Sequence, residues 1–324
     1  HDRGDQGIAR DMPVFYDVFT EEGHTIDQLT DSDRGMRIRV SRLGAEMVSI
    51  ARKNSRDEWE GFLYRDGDLS EPKSGWPYHA TVMGPYTHRL RDGVSWYGGE
   101  RIEGGPHGFL RNALFEAPEQ VTTHEGAGLE YTIGPEEYAS TDYPRRMRFS
   151  VRYVLEEAGV RVTLRAENLE QDRPIHVSFG LHPGFDLGSH EDTCLGLPAG
   201  EYVEHMIPGS LLSGETRTFT WEGGCYDLAK VSSGGSIIMG PSQRWEAPLV
   251  LTCGATKHRV ELDYAEAPFI TVWSDGHPFL CVEPVWGLPD HHDQRPFEEK
   301  EAVNEIAPRS ELTHSFVMRF SFLR

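Results

Sequence analysis

The sequence predicts an all-β protein built as a large antiparallel β-sandwich. Apolar side chains recur at every second position in many short segments, which is the period of a strand with one buried face. No segment of a dozen residues carries the apolar stripe of an amphipathic helix, so βαβ units and a parallel sheet are not expected. Glycine, proline and aspartate separate the segments at intervals of about ten residues, as is typical of antiparallel sandwiches.

The clearest predicted element is a β-hairpin formed by residues 147–153 and 160–166. Apolar residues alternate with polar ones in both strands, and a Glu-Glu-Ala-Gly turn lies between them. Residues 312–322 repeat the alternation at the C-terminal end. The other predicted strands are 36–43, 48–51, 175–179, 218–221, 237–239, 250–253, 260–264, 269–273 and 279–283.

Composition and charge exclude several classes of function. The chain has 324 residues, and 32 Lys and Arg against 52 Asp and Glu give a formal net charge of −20. Nucleic-acid binding requires clustered basic residues, so a nucleic-acid partner is not expected, and an anionic substrate is less favoured. The mean hydropathy is −0.51, and no apolar run approaches the roughly 18 residues that a membrane-spanning helix needs.

The domain organisation is predicted to be simple. No shift of composition marks a linker, so residues 31–324 are expected to form a single domain, preceded by an N-terminal extension over residues 1–30. The polar segment 66–75 is expected to be a long loop within that domain.

The four cysteines predict the cellular compartment. Cys194, Cys225, Cys253 and Cys281 lie about thirty residues apart and form no CxxC pair. With no secretory signal pattern at the first residues, this spacing favours reduced, partly buried thiols in a cytoplasmic protein. Two disulfides are the alternative. The segment 290–293 (Asp-His-His-Asp) is read as a polar loop rather than a metal site, because adjacent side chains project in different directions.

Three segments interrupt the alternating pattern with residues suited to catalysis. They are 104–111, which contains His107 and Arg111, 179–185, which contains His182, and 279–287, which contains Glu283. Each has a structural explanation as a hydrogen-bonded histidine, a surface ion pair or a solvated acid. Taken together they offer an acid–base set, because a carboxyl group that ends an apolar strand gains a raised pKa and a histidine exchanges protons near neutral pH.

The ordered set of motifs resembles the aldose 1-epimerase (galactose mutarotase) superfamily. The matching stretches are 44–46, 84–93, 107–109, 178–185 and 283–287, spread over about 250 residues of the chain. More narrowly, they resemble the bacterial branch near the glucose-6-phosphate 1-epimerases. The resemblance implies a supersandwich of antiparallel sheets with a sugar-binding cleft, and a reaction that uses no cofactor and no metal.

The resemblance also implies roles for individual residues. By position, Glu283 matches the general base, His182 the general acid and His107 the second active-site histidine. The substrate-binding residues that it implies are Arg89, Arg111, Asp227 and Trp273. One residue departs from the family pattern, since His88 stands where a small glycine often precedes the arginine.

The function that these residues favour is the interconversion of the α and β anomers of a free hexose. A second hypothesis is a hexose-6-phosphate 1-epimerase, in which Arg89, Arg91 and Arg111 hold the phosphate. A third is a sugar-binding protein of the same fold without catalysis, and a fourth is an accessory β-sandwich of a lyase or hydrolase. The expected partner is a small sugar, and the expected assembly is a monomer or a homodimer.

Overall fold

The structure is a computed structural model that describes residues 13–65, 69 and 76–324. Within these residues every ladder between named strands is antiparallel. The predicted all-β antiparallel architecture is therefore confirmed. Apart from Leu69, the loop predicted over 66–75 lies outside the described residues. Among the described residues, no helix has the length and apolar character needed to cross a membrane.

The described residues of the first half of the chain contain twelve strands. They are β1 (Val14–Glu21), β2 (His24–Asp31), β3 (Met36–Ser41), β4 (Glu46–Lys53), β5 (Trp59–Gly61), β6 (Ala80–Met83), β7 (Val94–Tyr97), β8 (Glu100–Glu103), β9 (Glu119–Thr122), β10 (Ala127–Ile133), β11 (Met147–Glu156) and β12 (Gly159–Asn168).

The second half contains twelve more. They are β13 (Ile175–Val177), β14 (Phe179–Asp186), β15 (Thr193–Gly196), β16 (Gly200–His205), β17 (Thr216–Trp221), β18 (Ser236–Pro241), β19 (Leu249–Cys253), β20 (His258–Asp263), β21 (Phe269–Trp273), β22 (Phe279–Trp286), β23 (Asn304–Ile306) and β24 (Glu311–Phe322).

Helical structure in the described part of the chain is limited to single turns. They are the α-helix α1 (Ala229–Ser232) and the 3₁₀ turns Arg91–Gly93, Leu110–Asn112, Pro208–Ser210 and Phe297–Glu299.

Two large sheets form the body of the sandwich. One has eight strands in the order β15-β19-β20-β24-β12-β11-β10-β9, and the other has seven in the order β17-β16-β18-β21-β22-β14-β6. Their inner faces share one hydrophobic core, to which β12 and β24 contribute Val162 and Phe316 while β14 and β22 contribute Leu181 and Val282. The opposite face of the seven-stranded sheet is thereby left free to carry other side chains.

A five-stranded sheet, β1-β2-β3-β4-β5, contains the N-terminal strands. Residue 30, where the sequence predicts the end of an extension, lies inside β2. That strand pairs along its length with β3, and its side chains Ile26 and Leu29 are buried. The N-terminal strands are therefore built into the sheet from β2 onward. Two small sheets, β7-β8 and β13-β23, complete the fold.

The cysteine prediction is wrong for one pair. Cys194 and Cys225 form a disulfide, with their Cα atoms 5.2 Å apart, while Cys253 and Cys281 are free and buried as expected. Cys194 lies in β15, an edge strand of the eight-stranded sheet, and Cys225 follows β17, an edge strand of the seven-stranded sheet. Closure of the sandwich at this edge brings the two sulfurs together, which the spacing along the sequence does not reveal.

Candidate active site

A row of side chains crosses the middle of the seven-stranded sheet. Thr81 of β6 pairs with His182 of β14, and Glu283 of β22 pairs with Thr271 of β21. Residues 180 and 184 of β14 pair with 285 and 281 of β22, a register that brings His182 opposite Glu283. Ile238 of β18 continues the row beyond Thr271. The sheet therefore places the predicted acid and the predicted base on neighbouring strands.

Strand alternation decides which side chains enter this row. Leu280 and Val282 of β22 belong to the shared core. Glu283 follows Val282 and therefore points to the other face of the sheet. In β14, Gly184 lies two residues after His182 and therefore on the same face. A Cβ atom at Gly184 would lie 2.4 Å from the Trp76 ring, so glycine here admits that ring beside His182.

These side chains line a cavity of about 270 Å³. Its walls include all of the predicted catalytic residues, Glu283, His182 and His107. A larger cavity, about 390 Å³, lies on the other side of the glycine-rich loop 104–108, and none of these three residues lines it. The smaller cavity is therefore the candidate active site.

His107 lies in a loop and is fixed by the segment that precedes the predicted arginine. The backbone N–H of His88 donates a 3.0 Å hydrogen bond to Nδ1 of His107, and the backbone N–H of His107 donates to the His88 carbonyl oxygen at 2.8 Å. Because Nδ1 accepts this bond, the proton of the neutral imidazole is on Nε2. The His107 ring lies 5.1 Å from the His182 ring, centroid to centroid.

His88 is a functional-site residue whose contacts the sequence did not reveal. Its backbone has φ of 60°, in the left-handed region that favours glycine, which explains why a glycine suits this position. The imidazole joins two hydroxyl groups, with Nδ1 2.9 Å from Oγ1 of Thr87 and Nε2 2.7 Å from Oγ1 of Thr271. His88 thus ties the loop to the strand beside Glu283.

Two arginines reach the same cavity. Arg89 is exposed, and its side chain has no carboxylate within ion-pair distance among the described residues. Arg111 lies over the Tyr78 ring, with the guanidinium carbon 4.6 Å from the ring centroid, and its Nε is buried without a hydrogen-bond partner. Arg91 does not line the cavity. It begins a 3₁₀ turn rather than continuing a strand, and its Nε lies 3.9 Å from Asp92.

Aromatic rings close one side of the cavity. Trp273, predicted as an aromatic wall, lines it together with Trp76, and their ring centroids are 5.7 Å apart. The same rings pack around His182, at 5.2 Å for Trp76 and 5.6 Å for Trp273. The sequence analysis missed Trp76, because no strand pattern or motif marks the segment that carries it.

The prediction for Asp227 needs correction. Asp227 does not line the cavity that contains Glu283, and its side chain is exposed. Its carboxylate accepts a 2.9 Å hydrogen bond from the backbone N–H of Ala229 at the start of α1. This bond to the backbone two residues on is an Asx turn, which aspartate side chains favour and which accounts for an aspartate at this position.

Burial controls the protonation of the acid–base pair. Glu283 is 1% exposed, and burial raises the pKa of its carboxyl group well above the ordinary value. Burial, with a smaller contribution from nearby Arg111, lowers the pKa of His182 to about 3. The pKa of His107 lies well below its usual range, again chiefly because of burial. Burial therefore favours an uncharged Glu283 beside uncharged histidines.

The carboxyl group of Glu283 lacks a hydrogen-bond partner within the described protein. Nε2 of His182 lies 3.5 Å from Oε1 of Glu283, close enough for an ion pair but without hydrogen-bond geometry. Both oxygens of Glu283 and Nδ1 of His182 are buried and have no hydrogen-bond partner among the described protein groups. An unpartnered buried carboxyl group is costly, which makes Glu283 the candidate for contact with a bound molecule.

The fold is that of the galactose mutarotase-like proteins. A galactose mutarotase related enzyme from Lactobacillus acidophilus superposes with a TM-score of 0.76 at 22% identity, covering 95% of this chain and 98% of that chain. A galactose mutarotase-like protein from Lactobacillus casei ATCC 334 gives 0.75 at 18% identity, covering 95% and 100%. Galactose 1-epimerase from Lactobacillus acidophilus NCFM gives 0.67 at 14% identity, covering 96% and 99%. At these identities the likeness establishes the fold.

The sequence itself establishes the family. Residues 27–212 match the aldose 1-epimerase family, and no curated protein sequence gives a significant match. The chain belongs to the aldose 1-epimerase family. It is therefore an isomerase that acts on sugars.

Proposed function

We propose that this protein interconverts the α and β anomers of a hexose by acid–base opening and closure of the sugar ring. The observation that carries the proposal is the unpartnered, buried carboxyl group of Glu283, 3.5 Å from His182 in a cavity of about 270 Å³. Both residues line this cavity, so a sugar bound there lies against the pair.

In this mechanism Glu283 and His182 share one proton. In the reactive form Glu283 is a carboxylate and His182 is protonated. The total charge of this ionised pair equals that of the uncharged pair, which burial favours. Glu283 removes the proton from the anomeric O1 hydroxyl while His182 protonates the ring oxygen, and the bond between C1 and the ring oxygen breaks. The product is an open-chain aldehyde.

Ring closure reverses these proton transfers. Rotation about the C1–C2 bond turns the other face of the aldehyde toward the attacking hydroxyl, so closure yields the opposite anomer. His107, with its proton on Nε2, and Arg89 hold the substrate oxygens during the rotation. Positioned acid–base groups of this kind contribute about 10²–10⁴-fold each to the rate.

Replacement of Glu283 by glutamine tests the proposal. We expect Glu283→Gln to abolish anomer interconversion while sugar binding stays within a few-fold, because the amide has the volume of the carboxyl group but does not accept the proton. Exchange spectroscopy by NMR on a panel of free hexoses measures the rate, and titration calorimetry measures binding. Asp227→Asn, at an exposed acid outside the cavity, is the matched control. Near-normal exchange in Glu283→Gln would refute the assignment.

A second candidate function is epimerisation of a phosphorylated hexose. It is favoured by Arg89 and Arg111, which reach the cavity without a carboxylate partner among the described residues of a chain whose net charge is −20. The position of Arg91 outside the cavity counts against a clamp of three arginines. Free hexose therefore remains the primary proposal.

The two candidates differ in their salt dependence. If the substrate is a free hexose, glucose is used as well as or better than glucose 6-phosphate, and Arg111→Ala weakens binding with little effect of salt. A phosphorylated substrate requires the opposite: a preference for glucose 6-phosphate that fades as salt screens the arginines and disappears in Arg111→Ala. Arg91→Ala is the matched control outside the cavity.

A further inference from the structure

A third reactive side chain lies beside the acid–base pair. Cys281 precedes Glu283 by two residues in β22, so both side chains point to the same face of the sheet. Its thiol is fully buried in a cluster with Tyr64 and Phe279, against which Trp76 and Trp273 pack. The proposed reaction gives Cys281 no role, and its proximity to the pair therefore needs a separate explanation.

The three side chains are close enough to share one ligand. A nitrogen of His182, the sulfur of Cys281 and a carboxylate oxygen of Glu283 lie within 4.8 Å of one another. The His182 and Glu283 atoms are 3.5 Å apart. Tetrahedral coordination with metal–ligand bonds of about 2.0–2.3 Å puts neighbouring ligand atoms roughly 3.3–3.8 Å apart. The His182 and Glu283 atoms already lie in this range, and the sulfur of Cys281 has to approach them by at most about 1.5 Å.

The donor set selects the kind of ion. Nitrogen, sulfur and oxygen donors in a tetrahedral arrangement suit Zn²⁺ and related cations, whereas Mg²⁺ and Ca²⁺ require six or more oxygen ligands. Both oxygens of Glu283 lack a hydrogen-bond partner among the described groups, and the side chain is 1% exposed, so a carboxylate is already aimed into the site. Glu283 and His182 also line the cavity, from which a fourth ligand can approach.

We propose that Zn²⁺ binds to His182, Cys281 and Glu283 and thereby inhibits the enzyme. The thiol of Cys281 loses its proton to solvent as the Zn–S bond forms, and the resulting thiolate and the Glu283 carboxylate together balance the charge of the cation. The bound ion occupies the lone pairs that Glu283 and His182 need for proton transfer. Binding and catalysis are therefore mutually exclusive, and the inhibition is reversed by a chelator.

Cobalt provides a test that does not depend on activity. Co²⁺ bound to a thiolate shows an intense sulfur-to-metal charge-transfer absorption, and tetrahedral Co²⁺ shows strong visible bands. We expect both signals when Co²⁺ is added to the protein, and loss of the charge-transfer band in Cys281→Ser. Cys253→Ser, at the other free buried cysteine, is the matched control and retains the band. Glu283→Gln keeps a thiolate ligand but binds Co²⁺ about tenfold or more weakly.

Inhibition is measured separately on the same variants. Zn²⁺ that suppresses wild-type anomer exchange leaves Cys281→Ser active, and a chelator restores the wild-type rate. Thermal melts of each variant establish that it is folded. Absence of a charge-transfer band in the wild-type protein, or its persistence in Cys281→Ser, would overturn the site. If the band forms as expected but the metal-free protein shows no exchange on any sugar, the metal site stands and the proposed epimerase function fails.

Discussion

The two histidines of the cavity are expected to differ in their contribution to the rate. His182 lies 3.5 Å from Glu283 and is proposed to transfer the proton, whereas His107 is held through Nδ1 by the His88 backbone and is proposed to orient the substrate through Nε2. His182→Asn should lower kcat strongly. His107→Asn, whose amide oxygen is able to accept the same backbone hydrogen bond, should raise KM more than it lowers kcat.

Steady-state anomer exchange at several sugar concentrations separates these two effects. The control is His124→Asn, a histidine in the turn between β9 and β10, far along the chain from either motif. Equal and negligible losses from the His182 and His107 substitutions would return both residues to a purely structural role.

At the scale of single residues, the sequence predicted which side chains line the cavity better than it predicted the contacts of those side chains. Glu283, His182 and His107 meet in one cavity as the motifs predict, since residues that end or interrupt apolar strands stand out from the alternating pattern. Asp227 was misplaced, because an aspartate before a helical turn and one in a sugar cleft look alike in sequence. The bridging role of His88 depends on the distant Thr271, and no local pattern encodes that contact.

At the scale of elements, the loop that carries Arg89 is held by a buried ion pair. Asp290 is 2% exposed and Lys300 is 6% exposed, and Nζ of Lys300 lies 3.0 Å from Oδ1 of Asp290. Oδ2 of the same carboxylate accepts hydrogen bonds from the Arg91 backbone N–H and the Gln294 amide. The Asp290 backbone N–H donates to the Arg89 carbonyl oxygen. The segment first read as a polar loop therefore anchors the cavity wall.

Removal of one partner of this pair should be costly. We expect Asp290→Asn to reduce the free energy of unfolding by about 3–5 kcal/mol, because it leaves the Lys300 ammonium buried without a counter-charge. Urea unfolding measures the loss. The double variant Asp290→Asn with Lys300→Met should recover much of it, and an equal loss in both proteins would show that the charge pairing is unimportant.

The alternating pattern predicted twelve of the 24 strands of the described residues and missed the others, among them β1, β2 and β6. Every strand named from the alternating pattern is present, because a two-residue period over a half-buried face leaves little choice of structure. The expectation that Arg89 and Arg91 share the face of a strand depended on their spacing alone. In the structure Arg91 starts a 3₁₀ turn, with Asp92 in a left-handed conformation, so the two side chains diverge.

At the scale of the whole molecule, the Cys194–Cys225 disulfide closes one edge of the sandwich. Backbone hydrogen bonds from Tyr226 to Leu195 and from Leu197 to Gly224 flank it. Disulfides persist mainly in oxidising compartments, so this bond bears directly on the cytoplasmic location that the spacing of the cysteines predicts.

The disulfide should stabilise the fold measurably. It joins residues 31 apart in sequence, and a crosslink of that span contributes about 3–4 kcal/mol by restricting the unfolded chain. The double variant Cys194→Ala with Cys225→Ala should unfold at correspondingly lower urea concentration, and reductant should shift the wild-type protein but not the variant. Peptide mapping without reduction identifies the bond directly. A wild-type protein with four free thiols would contradict it.

The placement of His182 and Glu283 on paired neighbouring strands has a consequence for how such a protein diversifies. The spacing of hydrogen-bonded strands, about 4.8 Å, is a property of every β-sheet and does not depend on the sugar. The cavity-lining residues His88, Arg89 and His107 lie on loops instead. Substitution of loop residues can therefore change the preferred sugar during evolution, while the distance between His182 and Glu283 is inherited unchanged.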